Sequence, residues 1–295
     1  MAIAIRPATS EDLDPAQRLV ERGILDLRAR HGVGLPLALG PPDFQRPCLE
    51  EDPSGLWVGE AEGTVRGFGF SWMCERFWFL AQLFVEPGEQ GSGLGRTLLS
   101  RTMEQARRRG AENLALITFA YNRVSTGLYI RHGMFPREPI YLMAAPAGAV
   151  GLPEPAPDLD AVPAESSWMR QIDEAVLGFG RDRHHAMLLA GGETALGFAR
   201  GGRIVGYAYV STITGHVGPA AILPGEDVAG VLRRALRVAL SGGAKSASIF
   251  VPGRCGPGLS AMTEAGLRIE EPFVLLAARP FGIWDNYVPA DPGYM

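Results

Sequence analysis

Lysine is almost absent from this chain: Lys245 is the only one, in a Lys+Arg total of 28 over 295 residues. Acidic residues number 32 and the formal net charge is −4, which excludes the basic footprint of a general nucleic-acid binder. The arginine bias reads as a coding preference and not as chemistry. Cysteine is scarce as well. Cys48, Cys74 and Cys255 lie far apart, so they form neither a disulfide framework nor a C-x-x-C pair, and a reducing cytoplasm is the expected location. Long apolar runs are missing; none approaches the roughly 18 residues that span a bilayer, so no membrane partner is expected. The N-terminus, MAIAIRPATSEDLD, turns acidic by Glu11 and lacks the apolar core of a secretory leader. What remains is 46% apolar and 20% charged residues, with 38 glycines and 23 prolines. That is an ordinary globular composition on a chain long enough for two domains.

Residues 144–164, AAPAGAVGLPEPAPDLDAVPA, show neither helical nor strand periodicity and have a linker's composition. They suggest a first domain over 1–145, a linker over 146–164 and a second domain over 165–295. The two halves repeat each other. EGTVRGFGFSW (62–72) and GGRIVGYAYVS (201–211) each read as a tight turn and an alternating strand, with Gly67 matching Gly206 and Phe68/Phe70 matching Tyr207/Tyr209. Strands ending at Pro87 and Pro224 come next, each followed by an amphipathic helix that stops at glycine and then by another strand. This ordered succession points to internal duplication.

The stretch EQGSGLGRTLL (89–99) places Gly91, Gly93 and Gly95 between a strand and a helix. A helix N-terminus exposes unpaired amides and partial positive charge, and glycines let a phosphate approach them. The spacing is neither a P-loop nor the G-x-G-x-x-G fingerprint, so close helix–strand packing is an alternative reason for the glycines.

The run LFVEPGEQGSGLGRTLL resembles motif A of the GCN5-related N-acetyltransferases, Gln/Arg-x-x-Gly-x-Gly/Ala, with Gln90, Gly93 and Gly95 in the motif positions. Further on, NRVSTGLYIRHGMF is similar to the family's second landmark, with Asn122, Leu128, Tyr129 and Gly133, and with Met134-Phe135 where the family has Gly-Phe. The resemblance covers most of residues 3–143. It implies an α/β (α+β) protein of two tandem GNAT-like domains, each a mixed, mostly antiparallel twisted sheet flanked by helices. It also implies acetyl-CoA as cosubstrate, with no metal, and transfer of acetyl to a primary amine by direct attack. The pyrophosphate would lie on the amides of Gln90, Gly91, Ser92, Gly93, Leu94, Gly95 and Arg96. The pantetheine arm would pair with Leu83, Phe84 and Val85, and an amide of Phe84 or Val85 would hold the oxyanion. Asn122 would orient the cofactor, and Tyr129 would protonate the leaving thiolate. The general base stays unassigned: Gln82 cannot serve, and Glu75 and Glu86 read as solvated residues.

Aligning Pro87 with Pro224 sets Asp227, Val228, Gly230 and Leu232 against Gln90, Gly91, Gly93 and Gly95. Aligning Gly133 with Gly266 sets Cys255 and Met262 against Asn122 and Tyr129. The second half is therefore expected to be a degenerate copy that dimerises, covers the first domain or shapes its acceptor pocket. The tail 280–295 is expected to pack over a domain or across a homodimer interface. His184-His185 are not expected to bind a metal, because neighbouring helical side chains point about 100° apart. Small-molecule and peptide amines both remain open as acceptors, with loops near 30–56 setting the choice. The alternative is a non-catalytic acyl-CoA-binding or sensor protein, which the missing base favours.

Overall fold

The computed structural model describes residues 3–35, 39–152 and 158–295. The expected variable loop (30–56) and linker (146–164) thus lie partly outside the described residues. The chain divides into two compact units, one of residues 1–116 and 121–134, the other of residues 117–120 and 135–295. No helix among the described residues is long and apolar enough to cross a membrane.

The first unit runs β1 (Ala4–Pro7), α1 (Leu13–Arg30), α2 (Gln45–Glu51), β2 (Leu56–Ala61), β3 (Thr64–Cys74), β4 (Phe77–Val85), α3 (Leu94–Arg108), the start of β5 (Asn113–Phe119, whose end from residue 117 falls in the second unit) and α4 (Arg123–Arg131). Its strands lie in the order β1-β2-β3-β4-β5. All neighbours are antiparallel except β4 and β5. The mixed, mostly antiparallel sheet read from the sequence is present. Helix α1 buries Leu13, Ala16, Leu19, Val20, Gly23 and Leu27, the i, i+3, i+4, i+7 stripe of a helix packed on a sheet.

Helices cover both faces of β3 and β4. A Cβ placed on Gly67 would come within 2.7 Å of Leu98 of α3, and one on Gly69 within 3.2 Å of Thr102. The cross-strand partners Val85 and Leu83 share that α3 face. On the other face, Phe84 packs so closely on α1 that a Cβ at Gly23 would lie 2.8 Å from its ring. Phe70, which pairs with Gln82, meets Phe44 there at 5.5 Å between ring centroids.

The second unit runs β6 (Phe135–Pro146), β7 (Leu159–Pro163), α5 (Ser166–Leu177), α6 (Asp182–Ala190), β8 (Thr194–Arg200), β9 (Arg203–Val210), β10 (His216–Ile222), α7 (Val228–Ser241), β11 (Ser246–Pro252), α8 (Gly256–Glu264), β12 (Arg268–Ala277) and β13 (Tyr287–Val288). Its strand order is β12-β6-β11-β10-β9-β8-β7, with β13 added to β10. Two elements depart from the linker expected over 146–164. β6 lies between β11 and β12 in the second unit, although a boundary at 145 would assign it to the first. Leu159–Pro163 is a strand paired with β8. Pro163 ends an edge strand, where a missing N–H costs no ladder bond, so a proline-rich composition concealed a strand.

The second unit also buries a polar cluster in its core. Arg181 bonds Asp173 at 3.1 Å and 3.2 Å and also reaches Tyr207, which in turn donates to Asp173. His185 uses both ring nitrogens, one 2.8 Å from Asp173 Oδ2 and the other 3.0 Å from the Tyr209 hydroxyl. Burial alone would raise the Asp173 carboxyl, but the Arg181 guanidinium and His185 hold it below the usual range. A folded-state value depressed in this way adds stability that is complete above the unfolded value of about 3.9 and is lost as pH falls through the folded one. Asp173→Asn should cost about 3–5 kcal/mol at neutral pH by removing the buried carboxylate that pairs with the buried Arg181. Chemical denaturation would show this, and the wild-type advantage should shrink as pH drops below about 4.

Candidate functional site

The parallel pairing of β4 with β5 ends after Phe77↔Asn113, Trp78↔Leu114, Phe79↔Ala115 and Leu80↔Leu116. A bulge follows, because Phe70 faces Gln82 whereas Ser71 faces Leu80, which leaves Ala81 as the extra residue. Beyond it β4 keeps only its ladder to β3. Leu83, Phe84 and Val85 are apolar yet only half-buried. Glu86 donates its N–H to Arg66 at 2.8 Å. Alternation along an antiparallel ladder then turns Phe84's amide toward β3 and those of Leu83 and Val85 toward the open edge. Of the two oxyanion candidates, Val85 is therefore the one whose N–H faces outward.

Past Val85, a 3-10 turn over Pro87–Glu89 leads to extended Gln90 and then to Gly91 and Gly93, at φ +87° and +92°. Gly93 caps α3, and its carbonyl accepts from the Thr97 amide at 3.1 Å. The Ser92 N–H donates to Glu89 at 3.3 Å, and that of Leu94 to the Ser92 hydroxyl at 3.4 Å. The amides of Gly91, Gly93, Gly95 and Arg96 donate to no described residue. Four free donors gathered at the start of a 15-residue helix form an anion cradle. The exposed Arg96 guanidinium, which has no acidic partner among the described residues, lies 3.7 Å from where a Gly93 Cβ would stand. Gly91 and Gly93 are explained by their left-handed backbone. Gly95 is not: its φ is ordinary, and an added Cβ would only touch Val85 at 3.5 Å.

Asn122 caps α4, its Oδ1 accepting from the Ser125 amide at 3.2 Å. That leaves its Nδ2 as the group able to meet a ligand. Tyr129, two turns along α4, is buried, and burial pushes its hydroxyl well above the usual tyrosine value, although a hydrogen bond with Ser125 opposes the shift. Such a phenol holds its proton at neutral pH. Of the weighed bases, Glu86 is ion-paired to Arg22 at 2.7 Å, and Glu75 is exposed in the β3–β4 turn. Gln82 belongs to a chain of amide hydrogen bonds through Gln45 to Gln17. Nothing local in the sequence signals this chain, because its members are 28 and 37 residues apart.

The second unit answers the same geometry with its own atoms. Gly206 faces Ile222 as Gly67 faces Val85, and Leu223 donates to Val205 as Glu86 does to Arg66. Here, however, β13 pairs with β10, and the Ile222 amide donates to Asn286 at 2.9 Å. The expected alignment of the two loops needs correction. Asp227, and not Gly230, holds the cap position that corresponds to Gly93, because the second loop is shorter. Asp227 accepts the Gly230 amide at 2.8 Å, so the helix start is occupied by a carboxylate of the chain itself. Cys255 caps α8 as Asn122 caps α4, and Met262 stands where Tyr129 does.

Residues 27–134, the segment that carries the β4 edge, the anion cradle, Asn122 and Tyr129, match the model of the acetyltransferase (GNAT) family. Over that segment the first unit is similar to a GNAT domain. Mycothiol acetyltransferase of Beutenbergia cavernae is 31% identical over 88 residues, a match spanning 29% of this chain and 30% of that protein. Among solved structures, a Pyrococcus horikoshii chain provisionally assigned as an acetyltransferase superposes with a TM-score of 0.78 at 16% identity, covering 99% of this chain and 96% of its own. A GCN5-related N-acetyltransferase from Sphaerobacter thermophilus gives 0.66 at 18% identity, covering 95% and 97%. A tandem GNAT protein from the clavulanic acid biosynthesis pathway gives 0.63 at 16%, covering 95% and 99%. At these identities the structures speak for the fold, and they do so over nearly the whole chain.

The three glycines should separate in their effect on stability. Gly93→Ala should cost about 1–2 kcal/mol for an L-residue at positive φ. Gly95→Ala should be neutral or stabilising by up to about 1 kcal/mol. Thermal and urea denaturation of the two variants provide the check.

Proposed function

We propose that the protein transfers an acetyl group from acetyl-CoA to a primary amine through its GNAT domain. The observation that carries this reading is the continuity of unpaired donors: the outward edge of β4 runs directly into the four free amides at the start of α3. A cosubstrate with an extended amide arm and a pyrophosphate needs this pairing of a strand edge and an anion cradle.

In this reading Gly91, Gly93, Gly95 and Arg96 hold the pyrophosphate, and Leu83 and Val85 pair with the pantetheine amides. The Val85 N–H points where the thioester oxygen gathers negative charge during attack. The amine nitrogen forms its bond to the acetyl carbon, and the carbon–sulfur bond then breaks with the electron pair leaving on sulfur. Tyr129, protonated at neutral pH, donates toward that thiolate, while the attacking nitrogen releases its proton to water. Asn122 steadies the cosubstrate through Nδ2. In the second unit the edge amide of Ile222 is taken and the Asp227 carboxylate stands at the helix start, so one acetyl-CoA per chain is expected. The rival reading, an acyl-CoA sensor without chemistry, draws on Glu86 being engaged by Arg22 and Gln82 being an amide.

Calorimetry should give one equivalent of acetyl-CoA per chain. Gly95→Ala should weaken that binding by about tenfold or more while leaving the protein folded, because a Cβ there crowds only the ligand. Tyr129→Phe should slow thiol release in the presence of amines by about 100-fold with little change in acetyl-CoA affinity. Binding without thiol release from any amine would favour the sensor, and two equivalents would refute the single site.

A further inference from the structure

The face of β4 opposite α3 carries a chain of three glutamines with a fixed direction. Gln17 of α1 donates from Nε2 to the Gly40 carbonyl at 2.8 Å. Gln45, buried at the start of α2, donates from Nε2 to Oε1 of Gln17 and to Oε1 of Gln82, both at 3.1 Å. The Gly40 carbonyl can only accept, so Gln17 must turn its NH2 there and its oxygen toward Gln45. Both hydrogens of the Gln45 amide are then committed, which fixes the Gln82 oxygen toward Gln45. Turning any one amide over would set donor against donor or acceptor against acceptor. The Gln82 Nε2, half-exposed, bonds to no described residue. Gln82 therefore presents N–H donors to the open side and has no acceptor to spare.

Its position gives those donors a use. Gln82 follows the Ala81 bulge, beyond the last β4–β5 pair. Its side chain shares the α1 and α2 face with Phe84, whereas Val85 and the phosphate cradle lie on the α3 side. An acyl group that passes the parted edge from the α3 side emerges beside Gln82, where the acceptor amine must approach. We propose that Gln82 recognises the acceptor by donating to an oxygen carried next to the reacting amine. The substrate class is then α-amino carbonyl compounds, such as amino acids, their amides or peptide N-termini, and not bare alkylamines or polyamines. This rests on the acetyl-transfer reading above.

A second observation agrees. Neither carboxylate weighed as base is free to serve at the site: Glu86 is engaged by Arg22, and Glu75 is exposed in the β3–β4 turn. The α-amine of an amino acid amide or peptide N-terminus, with pKa of about 7.7–8.0, is substantially neutral near pH 7.5 without help, whereas an alkylammonium near 10.4 is neutral to only about 0.1%. A site without a base suits the first kind. A bare amine would also leave the Gln82 donors unpaired once water is excluded.

The test is thiol release from acetyl-CoA with two matched pairs, phenylalaninamide against phenethylamine and glycinamide against ethylamine. The wild-type kcat/KM should favour the carbonyl-bearing member of each pair. Gln82→Leu should lower that preference about tenfold with acetyl-CoA affinity unchanged, a comparison in which the pKa difference between the amines cancels. Gln45→Leu, which frees the Gln82 amide to turn over, should lower it as well. If Gln82→Leu fails to fold, Gln82→Met gives the same readout. Equal preference in wild type and variant, or a wild-type preference for the bare amines, would overturn the proposal. Loss of acetyl-CoA binding in the wild type, or thiol release with neither kind of amine, would instead overturn the acetyl-transfer reading beneath it.

Discussion

Backbone amides and carbonyls need partners, and β4 runs out of them. Its parallel ladder to β5 lasts four residue pairs, and the bulge at Ala81 turns the strand aside. The outward groups of Leu83 and Val85 then have water or a ligand as their only outlets. The loop beyond adds four unpaired amides at the start of α3, where the helix's own geometry cannot supply acceptors. These two deficits adjoin in one unit of chain. The rest of that unit, from the aromatic core of Trp72, Trp78 and Phe79 to the helices on each face, holds the deficits open instead of letting the strands close.

The second unit shows the same backbone with the corresponding groups partnered from within the chain. At the position of Val85 it has Ile222, whose amide is taken by the carbonyl of Asn286, just before β13. The tail is tied down again where His216 meets the Ala290 carbonyl at 2.8 Å and where the Asn286 side chain donates to Leu223 at 3.2 Å. At the helix start, Asp227 takes the Gly230 amide, and Arg200 and Arg203 gather around the acidic pair Glu226-Asp227. A backbone carbonyl and a carboxylate of the chain itself thus take the Ile222 and Gly230 amides, whose counterparts Val85 and Arg96 the first unit leaves free. The tail therefore packs within the second unit, one of the two settings its composition had suggested.

The sequence made the repeated order of elements legible, because alternation, terminal glycines and strand-ending prolines are local signals. It also made the cradle legible, since Gly91 and Gly93 carry the backbone freedom their conformation requires. Pairing between distant segments was not legible. Nothing in FPREPIYLMAAP says that β6 will lie between β11 and β12, and the proline-rich stretch before α5 masked β7. The register of the two loops was misread for a related reason: anchoring on the prolines ignored that helix caps, and not prolines, set where α3 and α7 begin. The glutamine chain joins residues on a helix, a second helix and a strand, so only the folded chain brings its polarity together.

That polarity bears on how the proton leaves the amine. A carboxylate at position 82 would accept, favouring a cationic substrate and then serving as its base. An amide held by Gln45 with its oxygen turned inward does neither. It offers only donors, and a donor beside the reaction centre repels an ammonium while it welcomes a carbonyl. An electron-withdrawing carbonyl next to an amine lowers the amine's basicity, so the group that satisfies Gln82 also leaves more of the amine unprotonated near neutral pH. Recognition and activation then come from one feature of the substrate. In the proposed reading the burden left to the protein falls on the leaving sulfur, to which Tyr129 gives its proton.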